Sequence, residues 1–340
     1  MKSLFLCCIF ITLAAIPGFS QKEDKSGDFF TSDKPLDVTL IFNMAKMATN
    51  KYDSGRYAAR IQCKLSDSVT IDEKVNISFI GNFRKENCYI PPMKLHFKKT
   101  NSPQLAPLNS IKLTSCCKPN DVYDQYILRE YLIYKMYNLF TDRSFRVRLL
   151  NVTYVDSTGK RKSVTQHGFF VEDAKNVAKR NNSIEYKKNL HAEYTEREHM
   201  TLVAMFEFFV GNTDWSVSNR HNMKLLRPTL DSMARPYAVP YDFDFSGLVN
   251  TTYAEPDPLL NTENVRDRVY RGYPRNPSEI DSTLAMFQSR KQVIYDMINN
   301  FELLNAGSKK GMLQYLDQFY TTLSRPKEVK FYFVDRARRN

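Results

Sequence analysis

The first half of the chain alternates apolar and polar residues in short runs, which is the pattern of half-buried β-strands. The alternation is clear at positions 75–80 and 93–98, within a strand-rich stretch over 36–115. A hairpin is predicted next, with one strand over 146–155 and its return over 164–171. The pattern therefore predicts a β-rich first part of the chain.

Helical spacing of apolar residues occurs once in this first part and dominates the second. Residues 121–140 fit a helix that Asn120 can cap. The stretch ending at Val210 is apolar almost all round, which predicts a helix buried in the core. Two further helices are predicted over 278–304 and 309–323. The second part of the chain is therefore expected to be mainly α-helical.

The N-terminus has the pattern of a secretory signal peptide over residues 1–20. An apolar run from Leu4 to Ile16 follows Lys2, and small residues precede a cleavage point near Ser20. The run is shorter than the ~20 residues that span a bilayer, so a membrane anchor is the weaker alternative. We expect export to the periplasm or the extracellular space, with no transmembrane segment after cleavage.

Composition is that of a globular protein, since 42% of the 340 residues are hydrophobic and 25% are charged. A prior of ~150 residues per domain gives two units, predicted over 36–172 and 173–340 after a mobile leader over 21–35. The formal net charge is +12. This excess favours anionic partners such as phosphate groups, but no basic block stands out, so nucleic acid is not expected. We expect a monomer.

Four cysteines remain after removal of the signal peptide, and an oxidising compartment permits disulfides between them. Cys116 and Cys117 are adjacent, so an easy bond between the two is not expected. Bonds from one of them to Cys63 or Cys88 are the predicted alternatives. The spacing is not that of a zinc site.

Polar residues are concentrated in a loop over 211–222, directly after the predicted buried helix. A well-made turn is one interpretation of this loop. A strand predicted over 237–245 places Asp242 and Asp244 on one face, roughly 7 Å apart. Two like charges so placed are solvated, protonated or bridged by a cation, and oxygen ligands indicate Mg²⁺, Mn²⁺ or Ca²⁺.

A short hairpin joins the two segments and is expected to bring Asp214, Asn219 and Asn222 next to Asp242. Phosphoryl transfer uses such a set, because one carboxylate orients the attacking hydroxyl while oxygen ligands hold a metal that neutralises the phosphates.

In these motifs the sequence resembles the protein-kinase-like fold, within it the secreted spore-coat-protein-H-like (CotH) kinases and, more distantly, HipA-like kinases. The resemblance lies in order and spacing: Asp214 with Asn219 five positions on, then Tyr-Asp-Phe-Asp at 241–244. It implies an α+β, two-lobed fold, with a β-rich N-lobe that carries one main helix and a mainly α-helical C-lobe.

The resemblance also implies roles for individual residues. Asp214 would be the catalytic aspartate and Asp242 the main metal ligand, with Asp244 as a further ligand. Family members place the metal-binding asparagine directly before the strand, which favours Asn222, whereas spacing from the aspartate favours Asn219.

A lysine on a strand, paired with a helical glutamate, would grip the phosphates of the nucleotide. Lys112 and Glu130 are the predicted pair, and Lys94 or Lys98 are the substitutes for the lysine. Glu130 lies on an apolar stripe of its helix, and a buried carboxylate requires a cation. The alternative is a solvated Lys112, with Glu130 paired to Lys135 or to a neighbour of Arg129.

Two weaker features complete the predicted nucleotide site. The segment 170–173, which includes Glu172, resembles a hinge whose backbone would meet an adenine ring. Gly81–Arg84 falls where a phosphate-covering turn would lie, although no G-x-G-x-x-G is present.

The sequence thus predicts an exported, kinase-like protein that binds ATP or another nucleotide with Mg²⁺ or Mn²⁺ and transfers phosphate to a protein or glycan hydroxyl. The alternatives are a catalytically inactive kinase-like binding module of the cell envelope and a structural Ca²⁺ protein. No H-E-x-x-H or G-x-S-x-G motif is present, so a zinc hydrolase or a serine hydrolase is not expected.

Overall fold

A computed structural model describes residues 28–50, 55–81, 83–97 and 100–338. The predicted signal peptide lies outside these residues. The described end of the predicted leader forms a 3₁₀ turn, Asp28–Phe30, and both of its phenylalanines are buried. The ring of Phe29 lies 6.1 Å from that of Phe170. This part of the chain therefore packs against the strands of the first half, which form the barrel described next.

Seven strands of the first half close into a mixed barrel in the order β1-β2-β3-β4-β5-β7-β6. Neighbours are antiparallel except β1 and β6, whose parallel pairing sets Leu36 opposite Leu150 and closes the barrel. Alternate residues of these strands fill the interior, as strand geometry requires. The strands are β1 (Leu36–Phe42), β2 (Tyr57–Ser66), β3 (Val69–Phe79), β4 (Met93–His96), β5 (Ser110–Ser115), β6 (Val147–Asp156) and β7 (Val164–Val171).

A second, three-stranded antiparallel sheet lies in the second half, in the order β10-β9-β8. Its strands are β8 (Ser183–Glu185), β9 (Met223–Pro228) and β10 (Tyr237–Pro240).

Three of the helices lie between barrel strands along the chain, two of them short and one long. They are α1 (Met44–Asn50), α2 (Phe83–Asn87), α3 (Asp121–Asn138), α4 (Ala174–Arg180), α5 (Arg197–Val210), α6 (Pro277–Asn299), α7 (Ala306–Leu323) and α8 (Pro326–Lys330). A π-helical turn, Phe331–Asp335, follows α8. None of the helices in the described part of the chain has the length and apolar character needed to cross a bilayer.

Helix α3 confirms the helix predicted after Asn120, whose side chain accepts a hydrogen bond from the backbone N–H of Tyr123 at 3.1 Å. It lies between the barrel and the second half. The ring of Tyr134 is 5.5 Å from Phe169 of the barrel and 5.0 Å from Phe243 beyond the second sheet. A single buried helix therefore connects the two parts of the core.

The two-lobed protein-kinase-like fold implied by the resemblance is wrong. The strands of the first half close into a barrel, and the second half adds its own sheet to the helices. The protein is an α+β protein with a closed seven-stranded mixed barrel, a small three-stranded sheet and C-terminal helices. Closure depends on pairing between β1 and β6, and alternation within a strand carries no information about its distant partner.

The strand predicted over 237–245 is also wrong in its second half, because β10 ends at Pro240. Asp242 has a φ of +67°, a left-handed conformation that no strand accommodates. Phe243 turns into the core against Tyr134 and Phe206. The relation between Asp242 and Asp244 therefore does not come from strand alternation.

One disulfide joins Cys88 to Cys117, which is among the pairings that the sequence left open. Cys63 and Cys116 are free and buried. The bond ties the end of α2 to the segment just before α3.

Gly211 ends α5 in a left-handed conformation, with a φ of +67°. A Cβ at this position would lie 1.9 Å from the hydroxyl oxygen of Tyr315. We expect Gly211→Ala to lower the free energy of unfolding by about 2 kcal/mol or more, because both strain and overlap oppose it. Chemical denaturation measures this loss.

Gly311 of α7 is the matched control, since a Cβ there meets nothing within 4 Å. Gly311→Ala should leave stability unchanged or raise it by up to about 1 kcal/mol, as expected inside a helix. Equal effects of the two substitutions would contradict the role given to Gly211.

Candidate functional site

Three carboxylates converge where the barrel, α3 and the segment after β10 meet. Glu130, Asp242 and Asp244 each offer an oxygen, and these atoms lie within 4.8 Å of one another. Glu130 is completely buried and Asp244 nearly so, whereas the Asp242 side chain is 30% exposed. The Oε1 atom of Glu130 has no hydrogen-bond partner among the described residues. The acidic triad is therefore open on the side of Asp242.

Two cations from the barrel side compensate this charge. The Nη2 of Arg84 lies 3.0 Å from Glu130 Oε2, and its Nε lies 3.1 Å from Asp244 Oδ2. The Nζ of Lys112 on β5 donates to Asp242 Oδ1 at 2.6 Å. With all three carboxylates ionised, the two cations leave one negative charge uncompensated.

The pKa values of these groups follow from burial and from their neighbours. Burial raises the pKa of Glu130 and of Asp244, and the nearby carboxylates add to the rise against the effect of Arg84. Burial also acts on Asp242, but Lys112 and Arg84 outweigh it and hold its pKa below the usual value. Asp242, which faces the opening, is therefore the member of the triad that ionises most readily.

The residues around Arg84 fix its position. Arg84 lies on α2, four residues before the disulfide-bonded Cys88. Its Nη2 donates to the hydroxyl of Tyr253 at 3.2 Å, and that hydroxyl donates to Asp244 Oδ2 at 3.1 Å. The ring of Phe83 stacks on that of Tyr253 with 5.3 Å between centroids. The cation therefore cannot leave the carboxylates without moving α2.

A second carboxylate group, on Asp214, lies in the loop after α5. His221 Nε2 is 2.7 Å from Asp214 Oδ1, and Asn222 Nδ2 donates to Oδ2 at 2.9 Å. The backbone N–H of Tyr241 donates to Asn222 O at 3.0 Å, which links this loop to the segment that carries Asp242. His221 is close enough to Asp242 to help lower its pKa. One backbone hydrogen bond thus joins the segment that carries Asp214 to the segment that carries Asp242.

Polar side chains of Arg271 and Asn212 hold the Asp214 loop in place through hydrogen bonds. Arg271 donates to the carbonyl of Thr213 and, at 2.8 Å, to that of Trp215. Asn212 Oδ1 accepts from the backbone N–H of Asp214 at 3.1 Å. The position of Asp214 is therefore set by backbone contacts on both sides of it.

Among the predicted asparagines, Asn222 contacts Asp214. The side chain of Asn219 is exposed, and its backbone N–H donates to Ser216 Oγ at 3.2 Å. The placement before the strand, and not the five-residue spacing, thus identifies the asparagine beside the aspartate.

Three lysines predicted to pair with Glu130 form their ion pairs with other carboxylates. Lys112 pairs with Asp242 and contributes to Glu130 only through its nearby charge. Lys135 pairs with Asp33 at 2.8 Å, and Lys94 pairs with Asp173 at 3.1 Å. Lys98 lies outside the described residues.

Glu172 of the predicted hinge is buried, and its carboxylate is 3.1 Å from Arg180 Nε. It also accepts from the backbone N–H of Arg146 at 3.1 Å. Its side chain therefore stabilises the connection between β7 and α4.

Sequence patterns do not predict Arg84 as the partner of Glu130 or His221 as the partner of Asp214. Arg84 lies in the predicted phosphate-covering turn, and no periodicity relates it to Glu130. His221 lies in the polar loop next to Asn222, so loop polarity was the one available signal.

A scan against protein-family models found no match, and a search of curated proteins found none either. The resemblance to secreted CotH-like kinases therefore rests on the motif residues alone. The geometry of the two carboxylate groups is the basis for a functional proposal.

We expect Arg84→Gln to lower the free energy of unfolding at pH 7 by about 3–5 kcal/mol, because it leaves buried carboxylates without their cation. The loss should shrink at pH 5, where Glu130 and Asp244 take up protons more readily. Urea unfolding at the two pH values measures both effects.

Arg60→Gln is the control, since the Arg60–Asp72 pair lies on the surface with side chains 50% and 39% exposed. It should cost much less than Arg84→Gln. Similar losses for the two variants would show that burial of the Arg84 pairs does not matter.

Glu207 of α5 lies under the Asp214 loop, and burial raises its pKa to about 8, with Asn212 and Arg271 opposing in part. As pH rises from about 4.5 to about 8, the unfolded chain loses this proton while the folded chain keeps it. Stability should therefore fall over that window by roughly 3–5 kcal/mol. Glu207→Gln should remove this component, so that the variant gains on the wild type as pH rises.

Urea unfolding at pH 5, 6.5 and 8 tests this, with the exposed Glu302→Gln as the control. A Glu207→Gln curve parallel to that of the wild type would refute the buried, protonated state.

Proposed function

We propose that this protein binds a nucleotide together with Mg²⁺ or Mn²⁺ and transfers a phosphoryl group to a hydroxyl of a protein or glycan. The observation that carries the proposal is a pair of carboxylate groups on two hydrogen-bonded segments, Asp214 with Asn222 and the acidic triad with Lys112. The motif resemblance at Asp214 and at 241–244 supports the same reading.

The donor set fits a hard divalent cation. The triad supplies oxygen ligands within 4.8 Å of one another, Glu130 Oε1 is without a partner, and the cluster has uncompensated negative charge. Carboxylate oxygens and amide oxygens are what Mg²⁺ and Mn²⁺ prefer. Asp242 and Asp244, together with Glu130, would hold the ion, which when bound neutralises phosphate charge.

Lys112 is the residue best placed to contact the nucleotide phosphates. Its side chain is 20% exposed, and its ammonium group lies at the open side of the triad on Asp242. Burial lowers the pKa of Lys112, but Asp242 and Glu130 outweigh this and raise it, so the group stays charged. A phosphate oxygen entering here would exchange one anionic partner of Lys112 for another.

Asp214 is suited to receive a proton from the acceptor. Its carboxylate is 37% exposed and is oriented by His221 and Asn222. In the proposed step the acceptor oxygen forms a bond to the terminal phosphorus, the bond from that phosphorus to the bridging oxygen breaks, and the nucleoside diphosphate leaves. The hydroxyl proton passes to Asp214.

Export is part of the proposal. The Cys88–Cys117 disulfide is typical of an oxidising compartment and supports it together with the predicted signal peptide. The disulfide also lies four residues from Arg84. An oxidising compartment, which forms this bond, therefore also fixes the helix that carries the cation of the acidic triad.

A catalytically inactive binding module of the cell envelope is the second candidate. The direct Lys112–Asp242 ion pair favours it, because this contact compensates Asp242 without a metal. The two candidates differ in whether metal and nucleotide bind together.

We expect Asp242→Asn to weaken Mn²⁺–ATP binding by at least tenfold, since it removes the ionised ligand at the opening. Asp214→Asn should keep that binding but lower phosphotransfer by roughly 10²–10⁴-fold, as loss of a general base does. Calorimetric titration measures the first effect, and transfer of labelled phosphate to a mixture of protein and glycan acceptors measures the second.

Asp67→Asn is the control, because the Asp67 side chain is fully exposed on the β2–β3 turn. It should change neither quantity. No metal-dependent nucleotide binding by the folded wild type, across ATP, GTP and ADP, would favour the inactive module.

A further inference from the structure

A small cleft adjoins the Asp214 loop on the side of the three-stranded sheet. Its volume is about 350 Å³, and it lies between β8, β9 and the loop. Three cationic side chains and one acidic side chain line it: Lys187, Arg220, Lys224 and Glu185. The cleft therefore has an excess of positive charge.

Within the described part of the chain, these three cations have no anionic partner. None of them forms an ion pair with any of the residues that the structure describes. Arg220 donates to the side-chain oxygen of Asn189 at 3.1 Å, and Lys224 lies 5.2 Å from the centre of the Tyr241 ring. Several cations around a concave surface create a positive potential that attracts anions.

The cleft meets the proposed phosphotransfer site at two points. Arg220 directly precedes His221, which contacts Asp214. Lys224 reaches over Tyr241, which directly precedes Asp242. The cleft and the two carboxylate groups are therefore built from adjacent residues of the same two segments.

The backbone also supports a ligand role for Arg220. Its φ is +49°, a left-handed conformation that is uncommon for residues other than glycine, asparagine and aspartate. Such conformations concentrate at binding and catalytic sites. Arg220 therefore combines an uncommon backbone conformation with a guanidinium group that lines the cleft.

We propose that this cleft binds the anionic part of the acceptor, a sugar unit that carries a phosphate or a carboxylate. This rests on the proposed function, because it assigns the cleft to the hydroxyl-bearing substrate. The volume is at the small end for ligand sites, and Asn219 and Glu185 can bond sugar hydroxyls. An acidic peptide fits less well, since the edge strand β8 has three residues and offers little backbone for strand pairing.

The test is calorimetric titration of the protein with glucose 6-phosphate, glucuronate and glucose, at low and high NaCl. Both anionic sugars should bind, glucose should not, and salt should weaken the binding. Lys187→Glu should weaken it about tenfold or more. Arg220→Asn, which keeps a residue that tolerates the left-handed backbone, should weaken it as well.

Lys310→Glu on α7 is the matched control, because it changes the net charge equally at an exposed position away from the cleft. It should leave the affinities unchanged. Equal binding of glucose and glucose 6-phosphate, or affinities insensitive to Lys187→Glu and Arg220→Asn, would overturn the proposal. Preference for an acidic peptide over both anionic sugars would overturn the substrate class.

Mn²⁺–ATP binding is measured on the same wild-type sample. If anionic sugars bind in a Lys187-dependent manner but the nucleotide does not, the cleft stands and the phosphotransfer function fails. If the nucleotide binds and the sugars do not, the cleft assignment fails alone.

Discussion

The structure depends on charge compensation at a buried junction. Glu130 comes from α3, Asp244 from the segment after β10, and Arg84 from the short helix between β3 and β4. A buried ion pair contributes little net stability, but an uncompensated buried charge is costly. The three segments therefore have one low-energy arrangement, and the barrel and the second half are held in a single relative position.

This constraint explains why the site lies where strands and helices end. Arg220, Asn222 and Asp242 all have left-handed backbone conformations, and they lie in the two segments that carry Asp214 and the aspartates of the triad. Such conformations persist where surrounding contacts over-determine them. Here the Tyr134 hydroxyl accepts from the backbone N–H of Asp242, and the Asn222 carbonyl accepts from Tyr241. Helix α3 thus holds the backbone of Asp242 through Tyr134 and also contributes Glu130 to the acidic triad.

Local patterns predicted local structure well. Periodicity and capping identified α3 with its Asn120 cap, and alternation identified the β6–β7 hairpin. The order of polar segments along the chain was enough to expect Asp214, Asn222 and Asp242 near one another, because a hairpin returns the chain to its starting edge.

Features set by distant partners were beyond these patterns. Closure of the barrel depends on a pairing between strands far apart in sequence, and Arg84 is separated from Glu130 by two strands. The left-handed turn at Asp242 breaks a strand pattern that residues 237–245 otherwise satisfy. Each of these is decided by tertiary packing, which overrides local preference.

The parallel contact between β1 and β6 has a consequence for the order in which the chain acquires its structure. Leu36 finds its partner, Leu150, only after four intervening strands and α3 have been made. Contacts of such long sequence separation form slowly, because the loop entropy is lost before the contact is gained. In a chain that emerges from its N-terminus, β1 has one edge without a partner throughout this interval. Unpaired strand edges invite association with other chains. The growing protein thus has a period of aggregation risk that ends only when the barrel closes.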